Sequence, residues 1–149
     1  MYQKSAFESF ELEVNEDIRG YLNETAKWSY FLSILGFIGI GFMVLGGIGV
    51  SLYTGMNQVG GTGAYALGYS AGVGIVYIVL ALVYLFPVLY LFKFSNKMKQ
   101  ALKLKNNEAF KLAFLNLKSH YKFMGIFTIV VFSIYFLVII GVAISTALF

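Results

Sequence analysis

No Asp, Glu, Lys, Arg or His occurs anywhere from Trp28 to Phe92 or from Phe123 to Phe149. All eighteen acidic and basic residues fall in the two remaining blocks, 1–27 and 93–122. A water-soluble domain of 149 residues leaves much of its surface wet and has nowhere to hide two such stretches. Charged residues make up 12% of the chain, against about 25% in ordinary soluble domains. A soluble enzyme and a nucleic-acid-binding module are therefore excluded. A disulfide-stapled secreted scaffold is excluded too, because cysteine is absent. What remains is an all-α membrane protein, with the uncharged blocks lying in lipid.

Crossing a hydrocarbon core of about 30 Å takes about 20 helical residues. The block 28–92 is too long for one crossing, and it breaks at Gly55-Met56-Asn57-Gln58-Val59-Gly60-Gly61-Thr62-Gly63. The expected organisation is a single membrane domain over 1–149. It comprises an N-terminal segment 1–27, a first span 28–54, an outer Gly-rich loop 55–65, a second span 66–92, a basic segment 93–122 and a third span 123–149. Pro87 lacks a backbone N–H and predicts a kink near Val83.

Lys and Arg in short loops mark the cytoplasmic side. The 93–122 segment has eight lysines against the single acid Glu108, whereas the glycine loop has no charge. The expectation is a cytoplasmic N-terminus, an outside C-terminus and, given the resemblance set out below, the bacterial inner membrane. Within the basic segment Phe94, Met98 and Leu102 recur at i, i+4, i+8. Phe110, Ala113, Phe114, Leu117 and Tyr121 also keep helical spacing. This predicts an amphipathic helical hairpin between spans two and three, with Asn106 or Asn107 capping its second helix. Lys97, Lys99, Lys103, Lys105 and Lys111 are candidates for contact with anionic lipid or a partner protein. The N-terminal block is net −3 and could pair with this basic segment in the same chain or in a neighbour.

Glycine in a membrane helix allows close helix approach. Gly36, Gly39, Gly46 and Gly47 fall on one face of span one, Gly68 and Gly72 form a G-x-x-x-G in span two, and Gly141 repeats with Ser145 in span three. Packing within one chain and a face for self-association both fit these positions. Most of them lie toward the glycine-loop side, so a bundle tight at that end and wider at the charged end is expected. Tyr77, Tyr84 and Tyr135 are candidates for a polar path, or simply bond neighbouring helices. His120 stands without cysteine or acidic neighbours, so no metal site is expected, and no cofactor motif is present.

Two stretches carry a family resemblance. One is Leu22-Asn23-Glu24-Thr25-Ala26-Lys27-Trp28 leading into Phe31–Ile38. The other is Leu91-Phe92-Lys93-Phe94-Ser95-Asn96-Lys97-Met98 with Phe114-Leu115-Asn116-Leu117-Lys118. Over residues 12–145 the chain resembles a family of small bacterial integral membrane proteins of unknown function. The resemblance implies an inner-membrane protein without enzymatic activity and assigns no residue a role. The expected function is that of a non-catalytic accessory or scaffold subunit of a larger membrane complex. The alternatives are a homo-oligomeric pore or small-molecule pathway, or a lipid-binding membrane-surface protein. Expected partners are membrane lipids and other membrane subunits or itself, and not nucleic acid.

Overall fold

Asn15 starts the first helix by accepting a hydrogen bond from the Ile18 backbone N–H on its side-chain oxygen at 2.9 Å. Glu16 and Asp17 then place negative charge on the positive end of the helix dipole. The computed structural model describes residues 15–148. Glu8, Glu11 and Glu13 of the expected acidic segment, and Phe149 at the end of the third span, lie outside the described residues. Three helices follow in order: α1 (Glu16–Met56), α2 (Ala64–Leu104) and α3 (Asn107–Leu148). All three are long and apolar enough to cross a membrane.

At ~1.5 Å per residue each helix is about 60 Å long, twice the hydrocarbon thickness. The apolar halves of α1 and α2 lie side by side, and the charged halves of all three helices gather at one end. This corrects the expected separate hairpin. Residues 93–104 continue α2 and residues 107–122 begin α3, with no break where the apolar runs stop. The physical reason is that loss of hydropathy does not end a helix. Between Phe92 and Leu104 there is no glycine or proline that would.

The only break at this end is a two-residue turn. Lys105 adopts a left-handed conformation (φ 49°), and the Asn106 N–H reaches back to the Ala101 carbonyl at 3.1 Å. The Asn106 side chain then accepts from the Ala109 N–H at 3.0 Å and starts α3. At the opposite end the glycine loop needs its composition. Gly60 sits at φ +93°, and a Cβ there would meet the Tyr69 ring at 2.8 Å.

α2 is the central element, with its backbone close to α1 on one side and to α3 on the other, while the α1 and α3 backbones do not approach within 8 Å, Cα to Cα, among the described residues. The α1–α2 seam runs the full length of the pair. On α1 it uses Ala26, Ser29, Ser33, Gly36, Gly47, Ser51 and Thr54, a near-heptad stripe of small side chains. The Ser95 hydroxyl donates to the Ala26 carbonyl at 2.6 Å near one end, and the Ser51 hydroxyl to the Ser70 carbonyl at 2.7 Å near the other.

The α2–α3 seam is short. It holds Phe86 against Phe123, Tyr84 against Phe127 and His120 Nδ1 2.8 Å from the Pro87 carbonyl. Since a carbonyl only accepts, His120 Nδ1 is the donor in this pair. From Phe132 to Thr146 every residue of α3 is exposed. The bundle is therefore closed at its charged end and open at the glycine-loop end, the reverse of the expectation from glycine positions.

Candidate functional site

The charged ends form a three-helix head with its own core. Ala26 from α1, Phe94 and Met98 from α2 and Ala113 from α3 are buried to 1% exposure or less. Leu22, Leu91, Leu102, Phe110 and Leu117 pack around them. Large residues from α2 thus enter gaps left by alanines on its neighbours, which lets α2 pack closely against each of them.

At the tip of the head a groove of about 440 Å³ opens between the start of α1 and the α2–α3 turn. Ala101, Leu102 and Phe110 supply its apolar lining, and Arg19, Lys105 and Glu16 its charges. A recess of about 380 Å³ shares Arg19 and Leu102 with it and adds Lys99 and Lys103. Arg19 bridges the two. One guanidinium nitrogen donates to the Leu102 carbonyl at 2.8 Å, satisfying one of the orphan carbonyls at the end of α2. Another lies 3.6 Å from the Glu16 carboxylate, the one ion pair among the described residues.

The five singled-out lysines take different places. Lys99 is half-buried, with its ammonium 4.1 Å from the centre of the Tyr30 ring, within cation–π range. Lys97 is also half-buried, whereas Lys103, Lys105 and Lys111 are exposed. Lys111, Lys118 and Lys122 follow i, i+7, i+11 along the side of α3 that faces away from α2, so the head carries a basic stripe outward.

The glycines also divide. A Cβ on Gly36 would meet Val88 at 2.7 Å and one on Gly47 would meet Tyr77 at 2.6 Å, so these two mark the α1–α2 seam. A Cβ on Gly39, Gly46, Gly68, Gly72 or Gly141 meets nothing within 4 Å. The three tyrosines are not brought together. Tyr77 packs on Gly47, Tyr84 on Phe127, and Tyr135 is 66% exposed on the free part of α3.

Sequence reasoning missed Arg19 as a bridge and missed the small-residue stripe of Ala26, Ser29 and Ser33. That stripe was visible as a 3–4 spacing of Ala and Ser, but attention to glycine hid it. For Arg19 the sequence offers no comparable signal, because its partner is a backbone carbonyl 83 positions away.

The sequence profile of a family described as a family of unknown function, DUF5362, matches residues 50–145. The chain belongs to this family. The match takes in the end of α1, the glycine loop, all of α2 with its turn, and nearly all of α3. It begins well after the Leu22–Trp28 stretch. No curated protein and no solved structure matches the chain.

Proposed function

We propose that the chain is a non-catalytic subunit of a larger assembly in the bacterial inner membrane. In this reading the lysine-rich head faces the cytoplasm and the glycine loop faces outward. The observation that carries it is the free half of α3, where residues from Phe132 to Thr146 find no cover among the described residues. Apolar side chains gain little by leaving lipid for each other, so a free helix is stable as it stands. It also leaves a long surface for the spans of another subunit. The lysine excess at the head supports the cytoplasmic placement.

The head extends roughly 18 Å past the last apolar residues of α1 and α2, further than the ~5–7 Å of a headgroup layer. On this reading Lys97 and Lys122, near the membrane boundary, take anionic headgroups. Lys103, Lys105 and Lys111 stand clear in water, where proteins meet them.

The test is native mass spectrometry on protein solubilised gently at its natural expression level. Unlike subunits in fixed proportion are the expected result. A monomer carrying only lipid, or a pure homo-oligomer, overturns the reading.

A further inference from the structure

Two hollows on one flank of the α1–α2 pair share a wall. The larger, of about 660 Å³, is lined by Gly20, Asn23, Glu24, Lys27, Trp28 and Phe31. The other is the recess of about 380 Å³ that holds Lys99. Gly20 and Asn23 line both, and Gly20 has no side chain to divide them. Phe92 and Lys99 lie about 140° and 120° round α2 from Pro87, which faces α3, so this flank is turned away from α3.

The flank crosses the level at which the chain changes solvent, since charge stops at Lys27 on α1 and at Lys93 on α2. Side chains lean toward the N-terminus of their helix, which is the membrane end of α2 and the tip end of α1. Lys99 therefore reaches back toward the membrane and Tyr30 reaches up out of it. They meet with the ammonium 4.1 Å from the ring centre. The Lys99 backbone stands about 10 Å beyond Phe92, yet its charge is delivered near the boundary, where lipid phosphates lie. Below it, Tyr30 packs on Phe92 at 5.6 Å and Phe92 on Phe37 at 5.7 Å, centre to centre, an aromatic track that leads into the apolar part.

We propose that the merged hollow holds the headgroup of one anionic phospholipid, its phosphate between Lys27 and Lys99 and an acyl chain on Tyr30, Phe92 and Phe37. Neither lysine forms an ion pair among the described residues. An ammonium held against a ring keeps N–H donors for an anion. The carboxylate on this wall, Glu24, lies about 160° round α1 from Ala26, the seam residue, and so points away from α2. Arg19, higher in the recess, is already engaged by the Leu102 carbonyl and Glu16. The depth of the Lys99 charge and the aromatic track favour a lipid over a soluble phosphate. The site is separate from Lys97 and Lys122, and it stands whether or not the spans join unlike subunits.

Trp28 is the only tryptophan and lines the hollow, so its fluorescence reports the occupant. The test measures its quenching in the full chain in phosphatidylcholine nanodiscs. A minority of the lipid carries brominated chains, either as phosphatidylglycerol or as phosphatidylcholine. Phosphatidylglycerol is expected to associate about twentyfold more strongly, about fivefold for each lysine. Lys99→Gln lowers that preference about fivefold, and the Lys97→Gln, Lys122→Gln double variant leaves it unchanged. Equal quenching by the two lipids overturns the proposal. So does a loss in the double variant as large as that in Lys99→Gln, because only bulk surface charge is then sensed. Inorganic phosphate is expected to leave the preference intact, since it brings no acyl chain to the track. If it abolishes the preference, the hollow takes a soluble phosphate and the proposal falls.

Discussion

The two ends of α2 meet opposite solutions to the same problem. At the charged end, Phe94 and Met98 are sealed between alanines of α1 and α3. At the glycine-loop end, α2 keeps only the α1 seam, and Leu67, Ile75, Val76 and Val79 stand exposed at 50–68%. The difference follows from the surroundings each end is built for. In water an apolar side chain gains about 25 cal/mol per Å² by burial, so a projecting head must make a core from whatever large residues it holds. Against lipid tails that gain vanishes, and helices stay together only where small residues let backbones approach. The head is organised by Phe and Met, the α1–α2 seam beyond it by Gly, Ser and Ala, and the short α2–α3 seam by the rings of Tyr84, Phe86, Phe123 and Phe127.

Phe94→Ala tests the first half of this comparison and has the largest expected effect. Deleting a fully buried phenylalanine ring costs about 3–5 kcal/mol, transfer and cavity together. Amide exchange across residues 94–117 is expected to speed up by orders of magnitude while the Ser51–Ser70 end of the α1–α2 seam keeps its protection. Equal loss at both ends would mean that the two regions unfold as one unit.

The second half is tested by paired glycine substitutions. Gly47→Ala drives a Cβ to 2.6 Å from the Tyr77 Cβ, a contact neither helix can relieve by turning a side chain. The seam must open, at a cost of about 1–3 kcal/mol. Gly39→Ala meets open space and exchanges the poorest ordinary helix former for the best, a gain of up to about 1 kcal/mol. Opposite signs in a detergent-unfolding titration are expected. If Gly39→Ala destabilises as much as Gly47→Ala, the Gly39 face is covered by another chain.

The helices were legible from sequence because lipid forces an uncharged run of known length, and the glycine loop and Asn106 supplied the breaks. The packing was less so. Hydropathy segmented the chain at Phe92 and Phe123, where the solvent changes, whereas α2 and α3 run straight through those points. The turn depends on Lys105 in a left-handed conformation, for which lysine gives no signal. Of the seven glycines singled out, only Gly36 and Gly47 meet another helix among the described residues, since G-x-x-x-G records permission for close approach and not its use within the chain. The closed end was marked instead by Ala26, Ser29, Ser33 and Ala113, residues common enough in any helix to pass unnoticed.

Phe136→Ala has the smallest expected effect and completes the comparison, because it deletes the same ring as Phe94→Ala from a site 65% exposed on the free part of α3. In the isolated chain in detergent, the ring leaves one apolar surrounding for another with no cavity behind it. The change in stability is expected to stay within about 0.5 kcal/mol. A loss close to that of Phe94→Ala would show that α3 rests on the rest of its own chain after all, and the contrast between the two ends would fall. If another subunit covers α3 in the native membrane, the same substitution lowers the yield of the intact complex while leaving the isolated chain unchanged. That pairing of a silent effect alone and a loss in company separates a helix face meant for a partner from one meant only for lipid.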